Sequence, residues 1–369
     1  MKGWEETLPG AAAILAEHAE RHDRGASFPA EGIRAVHDAG LLTATVPERH
    51  GGPGGGLADT ATILRALGAG DPSAALITAM TLIGHGMEGL TPTWPEEVYA
   101  EAVREAAGRP VLINALRVEP ELGTPSRGGL PATVARETSG GWELTGHKIF
   151  STGAEGLRWM VVWSRVGDTE EASGFLVRGD APGIAIERTW DHLGLRATRS
   201  DDVLFDRSPA IPTVANPDGP TFLAWNSLAL SSLYLGVAAA ARDWLVSFLT
   251  ERTPASLGAP LATLPRFQAA VGEIDASLGA AADLVDALAG RVDDGDEAAT
   301  ARAPAAKLVA TRAAIGAVEQ AVALVGNNGL TRRNPLERHY RDVLCSRVHT
   351  PQDDSIVAAA GRAAFGSSG

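Results

Sequence analysis

The spacing of apolar residues changes twice along this 369-residue chain, and that change constrains the fold more than any single motif. In residues 1–108 and again in residues 213–369, apolar side chains recur every three or four positions, the period of an amphipathic helix. Residues 109–212 instead carry short apolar or alternating runs, which are typical of strands. We therefore predict an α+β, multi-domain chain: an N-terminal helical domain (1–108), a central antiparallel β-domain (109–212) and a C-terminal helical bundle (213–369).

Turn-forming residues mark the connections within these three segments. The glycines and the proline of residues 50–56 cannot continue a helix, so they separate two helical stretches. Ser-Gly-Gly at residues 139–141 predicts a hairpin and Pro182-Gly183 a further turn, which together favour an antiparallel sheet or a small barrel. Polar residues 293–296 join two long amphipathic helices. The strand-like runs are residues 133–136, 160–163, 174–177 and 202–205.

Composition excludes several classes of protein. The chain has 32 basic and 45 acidic residues, a net charge of −13, so phosphate backbones and anionic lipid would be repelled and nucleic acid is not an expected partner. Cys345 is the only cysteine, which excludes an intrachain disulfide and a cysteine-rich metal site. We find no signal-peptide core and no run of 18 uncharged apolar residues. We therefore expect a cytoplasmic protein with no membrane partner.

Residues 142–154 (WELTGHKIFSTGA) are the first stretch that suggests chemistry. An aromatic ring at Phe150, followed by the hydroxyls and main-chain N–H groups of Ser151 and Thr152, could cover a planar ring and donate hydrogen bonds to it. On its own, the stretch is more typical of a strand and turn that bind no ligand.

Together with four other segments, this stretch resembles the acyl-CoA dehydrogenase superfamily of flavoproteins. The other segments are residues 28–52, 119–124, 190–206 and 324–342. The match covers essentially the whole chain in the family's order. The resemblance implies a bound flavin, a helical, β, helical architecture, and a homo-oligomer, dimer or tetramer, whose subunits share the cofactor.

The resemblance also implies flavin-binding positions. Phe150, Ser151 and Thr152 would lie against the flavin ring, and Gly123 and Thr124 on a loop near the flavin and the pyrophosphate. Arg252 would meet the diphosphate, whose paired oxygens suit a planar guanidinium. Gln268, Gly326, Asn327 and Gly329 would approach the adenine half across a subunit interface. These positions imply FAD, with FMN or a reduced flavin supplied by a partner reductase as alternatives.

The resemblance fails at the catalytic base. A family dehydrogenase uses a carboxylate to remove the α-proton of a thioester. The two positions that would hold it carry Thr350 and Asn226, which we assign to the substrate pocket. Asp353 and Asp354 follow closely enough to be substitutes, although they are also typical residues for the start of a helix.

A second branch of the superfamily lacks that glutamate: flavin-dependent monooxygenases similar to dibenzothiophene monooxygenase and the N-hydroxylating amino-sugar enzymes. Thr152-Gly153-Ala154, and Arg341-Asp342 followed by His349-Thr350-Pro351, resemble this branch more closely. The likeness implies His349 as a catalytic residue, because histidine exchanges protons near neutral pH. His85 could face the same pocket or be a hydrogen-bonded core histidine.

Three hypotheses follow. The first is a monooxygenase that uses reduced flavin and oxygen on a small molecule, with a flavin reductase as a possible partner. The second is an acyl-CoA or acyl-carrier-protein thioester dehydrogenase with Asp353 or Asp354 as a relocated base. The third is a non-enzymatic protein that keeps only the fold.

Overall fold

The computed structural model of the chain describes residues 3–122, 129–215 and 219–366. The N-terminal helices are α1 (Leu8–Gly25), α2 (Ala30–Asp38), α3 (Leu57–Gly70), α4 (Pro72–Leu90) and α5 (Glu96–Ala106). The glycine-rich segment lies between α2 and α3, as predicted. A Cβ atom at Gly52 would lie 2.2 Å from the main-chain oxygen of Val46, so this close backbone approach requires glycine.

The middle segment is a β-domain. Its strands are β1 (Leu112–Leu116), β2 (Val134–Thr138), β3 (Gly141–Lys148), β4 (Leu157–Val166), β5 (Ala172–Arg178), β6 (Ile184–Glu187) and β7 (Asp202–Pro212). The predicted hairpin joins β2 to β3, with Thr138 opposite Gly141. Pairing runs from β4 through β2, β3, β7 and β5 back to β4, which closes a small barrel. Most pairs are antiparallel as predicted, but β1 and β2 each pair parallel with β4.

The C-terminal segment is helical. Its helices are α6 (Pro220–Glu251), α7 (Pro265–Asp293), α8 (Glu297–Val325), α9 (Leu336–Leu344) and α10 (Asp353–Ala364). The predicted polar turn separates α7 from α8, where Asp296 accepts hydrogen bonds from the first main-chain N–H groups of α8. The carboxylate of Asp293 accepts in the same way from Leu57 and Ala58 at the start of α3. The turn therefore ties the C-terminal bundle to the N-terminal helices.

Helix α6 runs through the core and fixes the position of the candidate site. Cβ atoms added at Gly236 and Gly68 would lie 2.1 Å from the main-chain oxygen of Arg65 and 2.3 Å from that of Leu233, so α3 and α6 touch along their backbones. Near the start of α6, the ring of Trp225 packs directly on Gly86 of α4. This contact places the first turns of α6 beside α4.

Two helical segments bear on the expectation that the protein has no membrane partner. Pro220–Glu251 and Glu297–Leu330 are long and apolar enough to cross a membrane by length and composition alone. The share of the apolar window that is buried inside the protein is 78% in Pro220–Glu251, as in a core helix, and 44% in Glu297–Leu330. The feature is therefore weak evidence for a membrane partner.

Candidate active site

A cavity of about 550 Å³ lies between α4, β1, β4 and the start of α6. Its size is typical of a site for a small molecule. The apolar part of its wall comes from Met80, Ile83, Met87, Trp94, Ile113, Leu116, Ile149, Phe150, Val161, Trp163, Phe222 and Leu223. The polar part comes from Glu88, Thr93, Asn114, Arg117, Asn226 and Thr350.

Phe150 forms an aromatic edge of this cavity, and its predicted contact with a flavin ring stays a prediction. Phe150 is 51% exposed to solvent, which is unusual for so large an apolar side chain. Its φ of 56° lies in the left-handed region, which costs on the order of 1 kcal/mol for a residue with a Cβ atom. The ring meets Trp190 and His192 edge-on, and those two rings stack with centroids 3.5 Å apart. The fold thus holds an aromatic surface open to solvent beside the cavity.

Thr152 and Ser151 differ in what they can offer a ligand. Asn114, in the cavity wall, donates from its side chain to the main-chain oxygen of Thr152 at 3.0 Å, and the Thr152 hydroxyl lies 3.1 Å from that of Ser200. Ser151 is completely buried, and its Oγ has no hydrogen-bond partner among the described residues. Thr152 therefore stays a candidate flavin contact, whereas the Ser151 side chain points into the interior.

The two positions expected to hold a base meet in the cavity wall. Asn226 lies on α6 and Thr350 precedes α10, and both line the cavity. The side-chain amide of Asn226 donates a hydrogen bond to the main-chain oxygen of Thr350. Both residues thus line the same cavity, and neither side chain carries a carboxylate; their assignment to the substrate pocket stays a prediction.

The remaining candidate catalytic residues lie elsewhere. His349 Nε2 is 2.7 Å from the hydroxyl of Tyr234, and the ring does not line the cavity. Burial, and more weakly the charge of Lys307, lowers the pKa of His349 to about 4, so the ring is neutral at pH 7. A neutral ring can accept a proton but lies outside the cavity wall, so the catalytic role of His349 stays a prediction.

The two aspartates are also absent from the cavity wall. Asp353 Oδ1 lies 3.6 Å from Nζ of Lys307, a lysine of α8 that is almost fully buried. Asp354 is exposed in the first turn of α10, where it accepts from the main-chain N–H of Ser355 at 2.8 Å. The positions of both residues fit the alternative interpretation, residues typical of the start of a helix, better than they fit a catalytic base.

His85 does not line the cavity; of its two predicted positions, the structure has the hydrogen-bonded core histidine. It is 1% exposed, its Nδ1 lies 2.8 Å from the Tyr99 hydroxyl, and burial lowers its pKa to about 4. The neighbouring Glu88 does line the cavity, and sequence reasoning missed it. Both of its oxygens accept from the main-chain N–H of Thr93, at 2.8 and 3.0 Å. This carboxylate therefore closes the turn after α4.

The residues expected at the phosphate and adenine end lie on the helical bundle. Arg252 and Gln268 are exposed, and Gln268 donates to the main-chain oxygen of Ala262 at 2.9 Å. Gly326 and Asn327 are exposed, while Gly329 packs against α8. None of these residues lines the cavity within one chain. Gly123 and Thr124 lie outside the described residues.

Three other residues, from the segments that resemble the family, have structural roles. Glu119 and Lys148 form a buried ion pair at 2.6 Å, and Lys148 also donates to the main-chain oxygen of Trp163. The carboxylate of Asp342 accepts from the main-chain N–H of Leu195 at 2.7 Å. The first pair fastens the loop after β1 to the barrel, and the Asp342 contact fastens α9 to the loop before β7.

The residues beside the cavity fit a flavin. The half-exposed ring of Phe150 offers a planar apolar surface, and the Thr152 hydroxyl offers a polar contact two residues later. In the part of the chain that the structure describes, no group of three or more His, Cys, Asp or Glu side chains is placed to hold a metal ion. The helical, β, helical architecture and the residues beside the cavity are those that the sequence resemblance implies for a flavoenzyme.

Family models identify the class. Models described as the N-terminal, middle and C-terminal domains of acyl-CoA dehydrogenase match residues 10–90, 118–208 and 228–353. The chain belongs to the acyl-CoA dehydrogenase family, and it is a flavin-dependent oxidoreductase. The predicted fold and its order of domains are confirmed.

Relatives within the family differ in activity. The chain is 34% identical to "Putative acyl-CoA dehydrogenase YdbM" of Bacillus subtilis over 98% of this chain and 96% of the relative. It is 30% identical to L-evernosamine nitrososynthase of a Micromonospora species, over 95% and 87%. The FMN-bound crystal structure of TdsC from Paenibacillus sp. A11-2 superimposes with a TM-score of 0.87 at 19% identity, over 98% and 97%. That last likeness shows the fold alone.

Proposed function

We propose that this protein is a flavin-dependent monooxygenase that uses reduced flavin and oxygen to oxidise a small molecule. The observation that carries the proposal is the hydrogen bond between Asn226 and Thr350 in the cavity wall. Neither an amide nor a threonine hydroxyl removes the α-proton of a thioester at neutral pH. The L-evernosamine nitrososynthase relative, 30% identical over 95% of this chain, supports a member of the family that is not a thioester dehydrogenase.

No other carboxylate of the described cavity wall replaces the base. Glu88 is the one carboxylate there, and its oxygens are engaged by Thr93 and Trp94. Burial raises its pKa, which favours the protonated form. A carboxylate held in this way stabilises the turn after α4 and is poorly placed to accept a substrate proton.

The groove next to the cavity is acidic, which would disfavour coenzyme A if its phosphates lay there. It shares Met87, Gly219 and Phe222 with the cavity. Its described charged residues are Glu48, Asp59, Asp293 and Glu297 against Arg49. An acidic groove repels the phosphates of coenzyme A, whereas a small substrate without them could enter.

The chain's own residues would orient the reactants and exclude water. When bound, a reduced flavin supplies the two electrons that activate oxygen. Phe150 would cover one part of the flavin ring and Thr152 would donate to its polar edge. The apolar wall from β1, β4 and α6 keeps bulk water from the reacting atoms, which strengthens the remaining polar contacts. Asn226 fixes the segment that carries Thr350 at the inner end of this wall.

The cofactor and assembly belong to the same proposal. FMN would contact only the residues beside the cavity. FAD would also contact Arg252, Gln268, Gly326, Asn327 and Gly329. Because these residues lie away from the cavity of their own chain, we propose that they meet the flavin of a second subunit in a cytoplasmic homo-oligomer. Sedimentation with and without each flavin tests the assembly: a monomer that binds FAD as tightly as FMN contradicts it.

Labelled oxygen tests the chemistry. The protein would receive photoreduced FMN, oxygen-18 gas and a panel of small apolar acids, amines and thioethers, with heat-denatured protein as the control. The proposal predicts a product that carries one oxygen-18 atom. Recovery of all reducing equivalents as hydrogen peroxide with every probe would refute it. If the second hypothesis is right, acyl-CoA thioesters will instead reduce the flavin.

A further inference from the structure

We propose that Ser200 and Thr198 control the hydrogen bond between Thr152 and the flavin, and that they thereby stabilise the reduced cofactor more than the oxidised one. Thr152 is the residue that touches the ring, and the other two act through it as positioning residues. The inference rests on the proposed function in one respect, because that proposal places the flavin at Thr152. It goes beyond it by naming the redox state that these residues favour.

Three hydroxyls form a chain that runs from beside the cavity into the interior. Thr152 Oγ1 lies 3.1 Å from Ser200 Oγ, which lies 2.8 Å from Thr198 Oγ1. Thr198 is 0% exposed and Ser200 is 3% exposed, whereas Thr152 is partly exposed. The outer end of this hydroxyl chain, at Thr152, is therefore the end that a bound ligand can reach.

Main-chain hydrogen bonds fix the two segments that carry the hydroxyls. The N–H of Gly153 donates to the main-chain oxygen of Thr198 at 2.9 Å, and the N–H of Ser151 donates to that of Asp201 at 3.2 Å. These two contacts lie on either side of the outer pair of hydroxyls. The hydroxyl chain is thus held in place by the backbone and needs little ordering when a ligand binds.

The inner end of the hydroxyl chain is a carbonyl oxygen, which accepts hydrogen bonds and donates none. Thr198 Oγ1 donates to the main-chain oxygen of Leu195 at 2.9 Å. Because each hydroxyl has a single proton, Ser200 then donates to Thr198, and Thr152 donates to Ser200. In this arrangement the Thr152 hydroxyl presents a lone pair to the ligand and accepts a hydrogen bond from it.

The opposite arrangement is also available. The main-chain oxygen of Leu195 accepts from Nε1 of Trp190 at 3.0 Å and from the main-chain N–H of Thr198 at 3.1 Å. It therefore stays paired when the Thr198 hydroxyl turns to Ser200. Ser200 then donates to Thr152, and Thr152 donates to the ligand. The hydroxyl chain can consequently meet either an acceptor or a donor.

The two redox states of a flavin differ in this property. The oxidised ring offers its nitrogen N5 as an acceptor, and two-electron reduction makes N5 an N–H donor. A threonine hydroxyl can donate to the oxidised ring without help, but when it accepts from the reduced ring its own proton needs another acceptor. Among the residues that the structure describes, Ser200 is the partner that takes this proton from Thr152. The hydroxyl chain therefore favours the reduced ring.

Redox titration of the FMN-loaded protein tests the inference. The midpoint potential of bound FMN and the Kd of oxidised FMN would be measured for the wild type, Ser200→Ala and Thr198→Val. Loss of one neutral hydrogen bond should weaken the binding of reduced FMN about 5-fold and leave that of oxidised FMN nearly unchanged. The midpoint potential should therefore fall by about 20 mV, since a tenfold change corresponds to about 30 mV for a two-electron couple.

Three further variants are the controls. Thr198→Ser keeps the hydroxyl and should keep the wild-type potential. Ser231→Ala should do the same, because Ser231 is also completely buried and donates to a main-chain oxygen, that of Ser227 on α6. In a protein that carries Thr152→Val, the addition of Ser200→Ala should cause no further shift, because Ser200 acts through Thr152.

Four results would overturn the inference: an unchanged potential in Ser200→Ala, an equal shift in Ser231→Ala, a further shift when Ser200→Ala is added to Thr152→Val, or failure of the protein to bind FMN and FAD. Partial unfolding of a variant weakens the binding of both redox states by the same factor and does not change the potential. If Ser200→Ala does not fold, Thr198→Val is compared with Thr198→Ser, and equal potentials in that pair would overturn the inference.

The titration uses neither oxygen nor a substrate. If the potentials shift as expected but no oxygen-18 enters any product, the inference stands and the monooxygenase proposal fails. If oxygen-18 enters a product but Ser200→Ala keeps the wild-type potential, the monooxygenase proposal stands and the inference fails.

Discussion

The side-chain amide of Asn226 donates a hydrogen bond to the main-chain oxygen of Thr350, across 124 residues of sequence. These are the two positions at which the family resemblance led us to expect a catalytic carboxylate. They lie side by side in one cavity wall, so the loss of the base at one position is not compensated at the other. Under the proposed function, this relationship is what distinguishes the protein from a thioester dehydrogenase.

Phe150→Ala should weaken flavin binding while leaving stability nearly unchanged. The residue is 51% exposed, so its ring contributes little to the stability of the core and would contribute mainly to ligand binding. Fluorescence titration with FMN and FAD should show a Kd raised about 10-fold or more, equivalent to about 1.4 kcal/mol of lost contact. The control is Phe365→Ala, at a residue that is 88% exposed and directly follows α10. Equal flavin affinity in both variants would remove Phe150 from the site.

Glu119→Gln should destabilise the fold strongly. Lys148 is completely buried and would lose the carboxylate that lies 2.6 Å away. Removal of one partner from a buried pair costs roughly 3–5 kcal/mol. Chemical denaturation would measure this loss. Asp168→Asn, which breaks an exposed pair with Arg136, is the control and should leave the unfolding midpoint unchanged. Similar effects of the two substitutions would contradict the structural role of Glu119.

His85→Gln should make the protein less sensitive to acid. The folded pKa of His85 is about 4 because the ring is buried, below its usual value of 6.5. Between these values the unfolded chain binds the proton that the folded protein rejects, so the wild type loses stability as pH falls from 6.5 to 4. Between pH 7.5 and 5, the wild type should lose about 2 kcal/mol more than the variant. Parallel pH profiles of the two proteins would contradict this account.

Asp342→Asn should act in the opposite direction. Burial raises the pKa of Asp342 from 3.8 to about 7, so between these values the folded protein holds a proton that the unfolded chain has released. Wild-type stability therefore falls as pH rises through this window. The asparagine keeps an acceptor for the main-chain N–H of Leu195 and does not titrate. Relative to the variant, the wild type should lose on the order of 2 kcal/mol between pH 5 and 7.5, measured by denaturation at each pH. A constant difference would show that Asp342 does not titrate there.

The sequence predicted the order of domains because apolar periodicity is a local property. It named no strand at β1 or at β6; the residues of β6 are mostly exposed and lack the expected alternation. It was least informative near Thr350. His349 is adjacent in sequence, but its ring turns to Tyr234, and Asp353 turns to Lys307 on another helix. Glu88 gave no signal, because its position in the wall depends on how Thr93 folds back on α4. Side-chain direction at a cavity is set by such distant partners.

The anaerobic absorption spectrum of the flavin-loaded protein tests the central claim most directly. Saturated acyl-CoA thioesters of several chain lengths would be added without oxygen, and the visible flavin band followed. Because the cavity wall holds Asn226 and Thr350 where a dehydrogenase needs its base, we predict that the band stays unchanged with every thioester. Stoichiometric bleaching by any of them would show that the protein removes the α-proton and accepts the hydride, and it would contradict the account.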